Sequence, residues 1–190
     1  EKLATAIRDS RRIVFFGGAG VSTESGLKDY RSADGIYHTA THYGRTPEEI
    51  LSHRCFFEDT ALFYRFYRDF FLQAAEPNDT HRALAALERQ GKDLTVVTQN
   101  IDGLHQKAGS RRVLELHGTL ARVVCLDCGS VLPRTQLDRR LRAANPGFAE
   151  QAQARADQLR VNPDGDVDLP EELVEGFVVV PCPVCETGVL

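Results

Sequence analysis

Two Cys-x-x-Cys hooks, Cys125-Leu-Asp-Cys128 and Cys182-Pro-Val-Cys185, constrain this chain most, because any fold must return the second pair to the first. Four thiolates are the donor set of tetrahedral Zn²⁺ in a closed structural site, so zinc is predicted, with iron as the alternative. Two disulfides compete with that reading, but they would leave Cys55 over, and a reducing compartment disfavours them. Four protein ligands leave no open coordination position, so the metal is expected to support folding and perform no chemistry. Residues 129–181 exceed what a minimal zinc ribbon needs, so an element must loop out between the hooks. This Ala/Arg/Gln-rich stretch, broken by Pro146, Pro163 and Pro170, is predicted to hold helices near Gln136–Ala144 and Ala149–Leu159.

Upstream, the apolar run Ile13-Val-Phe-Phe16 empties into Gly17-Gly18-Ala19-Gly20, followed by the polar loop Val21–Arg31. Gly17, Gly18 and Gly20 lack a Cβ, so the backbone there is expected to reach positive φ and to present N–H groups to a phosphate at close range. The dinucleotide fingerprint is half met, since Thr23 stands where its third glycine belongs.

Lys2–Ser10 reads as a short helix feeding a buried strand, Arg12–Phe16. Phe56–Gln73 carries Phe63, Phe66, Tyr67, Phe70 and Phe71 at helical spacing between Pro47 and Pro77, which points to core packing rather than to a ligand role. Thr80–Arg89 is a further predicted helix, capped by Thr80 and stopped by Gly91. Leu94–Thr98 is a continuous apolar run, as expected of a parallel strand covered on both faces, and Val113–Leu116 is a third strand. Strand, helix, strand, connection, strand is the order of a doubly wound α/β sheet, whose ligands sit beyond the carboxyl ends of the strands. Gly17–Arg31, Gln99–His105 and His117-Gly118 fall there.

Thr98-Gln99-Asn100-Ile101-Asp102 offers a carboxamide and a carboxylate that could hold ribose hydroxyls or an amide-bearing ring; a capped polar turn is the bland alternative. His117 ends a strand directly before Gly118, where an imidazole could take a proton from a sugar hydroxyl near neutral pH. His105 also lies near a strand end, whereas His38, His42, His53 and His81 have no such placement.

At 190 residues, 42% hydrophobic and net charge −4, the chain can bury one core plus a small module and has no basic block that would mark a nucleic-acid or membrane surface. The cluster Arg139, Arg140 and Arg142 reads as a solvated helix face. No apolar run is long enough to span a bilayer. A cytoplasmic location is expected, or an organellar matrix if a leader has been removed, since the chain begins at Glu1 and contains no Met. Asn78-Asp79-Thr80 matches a glycosylation acceptor by chance.

Taken together, Gly18–Gly26 with Asp29-Tyr30-Arg31, Thr98–Asp102, Leu116-His117-Gly118 and the four cysteines resemble the sirtuins, the NAD-dependent protein deacylases, from about Ala4 to Cys185. The resemblance implies a Rossmann-like parallel sheet with a small helical insertion and a zinc-binding module. Residues 1–33 and 76–120 would form the NAD-binding part, 34–75 the helical insertion and 121–190 the zinc module. Gly18, Ala19, Gly20, Thr23, Tyr30, Arg31 and Gln99 would contact NAD. Asn100, Ile101 and Asp102 would line the nicotinamide pocket, with Asp102 on the carboxamide. His117 and Asn100 would be catalytic, His117 as general base on a ribose hydroxyl. An acyl-lysine protein or peptide would be the substrate, acetyl the expected acyl group, and nicotinamide and O-acyl-ADP-ribose the products beside free lysine.

Lys28 stands where the family usually has proline, which adds a charge beside the cofactor loop. Asp29-Tyr30-Arg31, Leu141–Pro146 and Pro163–Leu169 together resemble a subgroup containing a mitochondrial member and bacterial relatives, while Tyr43–Tyr67 is closer to generic bacterial deacetylases. Tyr64 and Arg68 do not reproduce the spacing linked to acidic acyl groups, so no desuccinylase is predicted. The family continues past the second cysteine pair with strands that complete the sheet. The chain is therefore expected to be an amino-terminal portion with an unpaired sheet edge, weak NAD binding and little or no turnover. A zinc-stabilised NAD-binding or interaction module without catalysis is the alternative. A hydride-transferring dehydrogenase ranks last, because no acidic residue follows the glycines at the ribose-binding distance, Asp34 being too close. The oligomeric state is not readable from the sequence.

Overall fold

The Ile-Val-Phe-Phe run has the branched and aromatic bulk that suits a pleated surface, and Leu-Thr-Val-Val repeats it; these become β1 (Arg12–Gly17) and β2 (Asp93–Thr98). The computed structural model describes residues 2–33, 35–39, 43–71, 74–148, 150–151, 176–188 and 190. In it β1 pairs in parallel with β2 from Arg12↔Asp93 to Gly17↔Thr98, and β2 pairs in parallel with β3 (Val113–Glu115), giving the order β1-β2-β3. The chain divides into two compact units, Glu1–Thr119 and Leu120–Leu190.

Because side chains alternate across a strand, the register puts Ile13, Phe15, Leu94, Val96 and Val113 on one face. Helix α6 (Asp79–Arg89) covers that face with Leu84 and Leu87, and Leu94 and Val96 are fully buried there. The opposite face is bare among the described residues: Val14 is 72% exposed and Phe16 61%, with Leu114 also exposed. Burial of β1, and cover on both faces of β2, are therefore corrected: among the described residues only one side of this sheet meets a helix.

Asn78, not Thr80, caps α6. Its Oδ1 accepts from the Thr80 N–H at 3.0 Å and the His81 N–H at 3.4 Å, and its Nδ2 donates to the Val21 carbonyl at 2.7 Å. The extra long-range bond decides between two capable caps two residues apart, and such a cap is worth about 1 kcal/mol. Gly91 stops the helix as predicted, at φ +92°.

Helix α1 (Lys2–Asp9) precedes β1. The insertion between β1 and α6 contains α2 (Ile36–Thr39), α3 (Pro47–Ile50), α4 (His53–Glu58) and α5 (Thr60–Phe71). The single predicted helix 56–73 is thus split at Asp59, whose backbone leaves the helical region (φ −142°, ψ 62°). The Asp59 carboxylate accepts from the Leu62 N–H at 3.3 Å, so it competes with the helix ladder and starts α5 afresh. Phe66 is fully buried with Ile36, Tyr43, Ile50 and Cys55, and Tyr43 meets it edge-on at 5.1 Å, so the aromatic stripe packs a core of its own. Burial of one such ring contributes about 1.5–3 kcal/mol.

The second unit is sparer. Strands β4 (Arg122–Val124) and β5 (Val131–Pro133) form an antiparallel hairpin that leads into α8 (Arg134–Ala144), which buries none of its residues. Asn145 ties the end of α8 to the returning chain, donating to the Val178 carbonyl at 2.9 Å and accepting from the Val178 N–H at 2.7 Å. The predicted helix Ala149–Leu159 lies mostly, and Pro163–Leu169 wholly, outside the described residues, as do Asp34 and His42.

Candidate functional site

Backbone hydrogen bonds place the three strand exits side by side. Gln99 N–H donates to Gly17 O at 3.0 Å, and Leu116 N–H donates to Thr98 O at 2.9 Å. After β1 the chain does not enter an α-helix but a 3-10 helix, Ala19–Ser25, ended by Gly26 at φ +86°. Gly26 needs left-handed backbone; Gly18 is extended (φ −129°, ψ −165°), and neither Gly17 nor Gly20 has positive φ. The expected positive φ is therefore corrected at all three glycines, and a steric reason replaces it only at Gly17. A Cβ on Gly17 would meet the Phe15 ring at 2.8 Å, whereas Gly20 faces open space.

The centre of this site is a chain of three side chains drawn from two loops. Asn100 Nδ2 donates to Ser22 Oγ at 3.0 Å, and Ser22 Oγ donates to Asp102 Oδ2 at 2.7 Å. The other carboxylate oxygen of Asp102 accepts from the Leu104 N–H at 2.9 Å at the start of α7 (Leu104–Lys107), where Gly103 supplies the turn at φ +72°. Thr98 Oγ1 fixes the Asn100 backbone by accepting its N–H at 3.0 Å. Hydrogen bonds to both carboxylate oxygens hold the Asp102 side chain in one orientation. Ser22 is buried and central, and the sequence reading gave it no role, although it lies in the Gly18–Gly26 motif. A small polar residue inside that motif was the available signal.

The remaining predicted residues surround this set without joining it. Gly18 lies against Gln99, whose Oε1 would be 3.5 Å from a Cβ there. Ala19 and Gly20 lie in the 3-10 helix, and Thr23 turns its hydroxyl back to Gly20 O at 2.9 Å. Tyr30 is half-buried with its ring 5.6 Å from Tyr37, and burial raises its phenol pKa. Ile101 is half-buried, and Arg31 and His117 are exposed. His117 stands past the end of β3 as predicted, followed by Gly118 at φ +83°, and among the described residues it makes no side-chain hydrogen bond to Asn100 or Asp102. His81, in the first turn of α6, is fully buried, with its ring 4.6 Å from that of His105.

In the second unit the Sγ atoms of Cys125, Cys128, Cys182 and Cys185 all lie within 4.8 Å of one another. Cys125–Cys185 and Cys128–Cys182 are each 3.8 Å apart, and four sulfurs at Zn–S of about 2.3 Å stand about 3.8 Å apart at tetrahedral corners. The donor set therefore fits Zn²⁺, and all five cysteines are free thiols. Backbone N–H groups already point at the sulfurs: Gly188 to Cys185 at 3.2 Å and Val184 to Cys182 at 3.4 Å. Hydrogen bonds from the N–H of Thr187, then that of Gly188, hold the Cys185 thiol down at about 6. Gly188 was not singled out from sequence; a Cβ on it would lie 2.3 Å from Cys125 Sγ and 2.9 Å from Cys185 Sγ.

A family model described as "Sir2 family" matches residues 18–185. The chain belongs to the Sir2 family. This Sir2-family chain is 54% identical over 134 residues to an NAD-dependent protein deacetylase of Cutibacterium acnes, covering 70% of this chain and 55% of the relative. It is 40% identical over 190 residues to the NAD-dependent protein lipoamidase sirtuin-4, mitochondrial, of Homo sapiens, covering 97% of this chain and 57% of the relative. A solved structure described as Sir2-p53 peptide-NAD+ superposes with a TM-score of 0.61 at 33% identity, covering 75% of this chain and 55% of that one. The chain thus spans about half the length of the curated relatives it matches.

Proposed function

We propose that this chain supplies the nicotinamide-handling half of an NAD-dependent protein-lysine deacylase, with acetyl as the acyl group and a lysine-bearing protein or peptide as substrate. One observation carries the reading: Asn100, Ser22 and Asp102 are locked in a hydrogen-bonded row beside the glycine turn, at the carboxyl ends of parallel strands. Ligands of doubly wound sheets bind at such ends. Residues 1–33 and 76–120 serve as the NAD-binding part, 34–75 as the helical insertion and 121–190 as the zinc module. A cytoplasmic or organellar-matrix location belongs to the same reading, with no nucleic-acid or membrane partner. No described helix is long and apolar enough to cross a membrane.

The chain's residues divide the work. When bound, NAD supplies a glycosidic bond to nicotinamide whose cleavage opens the ribose to attack by the acyl oxygen. Gly18, Ala19, Gly20, Thr23, Tyr30, Arg31 and Gln99 hold the nucleotide. Ser22 keeps the Asp102 carboxylate in place to accept from the nicotinamide carboxamide, and Asn100 and Ile101 enclose the ring. His117, exposed beside the strand ends, takes a proton from a ribose hydroxyl at its ring nitrogen.

NAD added to the isotope-labelled chain is expected to shift the amide signals of Gly18–Thr23 and Gln99–Asp102. Shifts confined to other residues would end the proposal. Formation of free lysine from an acetyl-lysine peptide in the presence of NAD, slow in the 190-residue chain, is expected to vanish in His117→Ala. A second reading, a lipoyl rather than an acetyl group, is favoured by the lipoamidase relative that aligns along nearly the whole chain. Paired acetyl- and lipoyl-lysine peptides decide between them by relative rate.

A further inference from the structure

Beside the Asn100–Ser22–Asp102 row lie two imidazoles to which the proposed function assigns no part. His81, in the first turn of α6, is 0% exposed, and His105, in α7, is 1% exposed. Their ring centroids are 4.6 Å apart, and Phe15 meets His105 edge-on at 6.0 Å. His81 Nδ1 faces Asn78 Oδ1 at 2.9 Å and lies 3.3 Å from the Asn78 N–H. Neither His81 Nε2 nor either nitrogen of His105 has a hydrogen-bond partner among the described residues.

Such surroundings suit a neutral ring and oppose a charged one. Burial lowers the His105 pKa to about 4, the neighbouring His81 adds to the shift, and Asp102 opposes it. Burial also lowers that of His81, with Asp102 opposing and Arg82 of α6 adding. Asp102 is tied to the start of α7, where its Oδ1 accepts from the Leu104 N–H at 2.9 Å one residue before His105, while its Oδ2 accepts from Ser22, so among the described residues it is the anion placed to act on both rings.

We propose that His81 and His105 are positioning residues for Asp102: while neutral they leave its carboxylate on Ser22, and a proton on either ring draws the carboxylate away, releasing Ser22 and with it Asn100. The functional meaning rests on the reading of Asp102 and Asn100 as ligand-site residues; the coupling itself does not. As pH falls, the unfolded chain takes up the proton first, so stability is full above about 6.5 and is lost toward about 4.

The test is an NMR titration of the full 190-residue chain, following the His81 and His105 ring signals and the Asn100 side-chain amide, in wild type and His105→Phe. In wild type both rings are expected to stay neutral through the ordinary histidine range, and the Asn100 amide to shift with the same midpoint as the first ring to protonate. In His105→Phe the Asn100 shift is expected to move to a different pH. A ring that titrates in the ordinary range, or Asn100 signals that stay still while a ring protonates, overturns the proposal. So does an Asn100 midpoint unchanged by His105→Phe; if that variant does not fold, the wild-type midpoints decide alone. Nicotinamide added to the same samples separates the two readings. Coupling without nicotinamide shifts keeps the positioning role and removes the ligand site, and nicotinamide shifts without coupling do the reverse.

Discussion

The two units reach an ordered site by opposite routes. In the first, Ser22 and Asp102 stand 80 positions apart in sequence and meet only because β1 and β2 align in register and α6 packs an apolar face beneath them. In the second, each cysteine pair is local, α8 buries nothing, and the buried apolar residues among those described are Cys125 and Cys182 themselves. One site is a product of a core; the other has to stand in for one. A unit this small with so little apolar burial depends on its metal, whereas the sheet unit does not.

Removing the metal tests that contrast most severely. Chelation of the zinc-loaded chain is expected to abolish the ordered amide signals of residues 120–148 and 176–188, since structural zinc contributes on the order of 10 kcal/mol at neutral pH. The signals of β1, β2 and α6 should persist, and their simultaneous loss would break the comparison.

Gly188→Ala sharpens it within the second unit. Its new Cβ would lie 2.3 Å from Cys125 Sγ, so the metal affinity is expected to fall by about 10–100-fold, the range seen when the surroundings of metal ligands are disturbed. Competition with a chromophoric chelator measures it, and an unchanged affinity would show that the loop relaxes freely.

Ser22→Ala probes the first unit. It leaves the Asp102 oxygen and the Asn100 amide without their shared partner, an expected loss of about 1–3 kcal/mol in urea unfolding of the sheet unit, with zinc affinity unaltered. Asn78→Ala should have the smallest effect, about 1 kcal/mol for the α6 cap, together with faster hydrogen exchange in the 3-10 helix once the bond to Val21 is gone. Equal effects of Ser22→Ala and Thr23→Ala on stability would show that the buried row is not special.

Features whose cause is local were legible from the residues. The four cysteines, the strand runs and the Gly91 helix stop each follow from short-range chemistry, and each stands where its residues put it. Choices between neighbours were not. Asn78 wins over Thr80 through a bond to Val21, 57 positions away. Asp59 splits a helix whose aromatic periodicity continues straight through it. The glycines after β1 were read as left-handed because that is the common reason for glycine, and only the packed positions of Phe15 and Val21 show that Gly17 is needed for room.

By itself, the amino-acid sequence determined which groups are available and in what order: four thiolates in two hooks, a glycine-rich exit from a strand, and an Asn-Ile-Asp turn after another. Tertiary structure alone decided that Ser22 joins Asn100 to Asp102, that two histidines share a dry pocket, and that one face of the sheet is covered while the other is bare. The reason is physical. Local propensity and spacing act over a few residues, whereas desolvation and hydrogen bonding between distant side chains take effect only once strand register has set their distances.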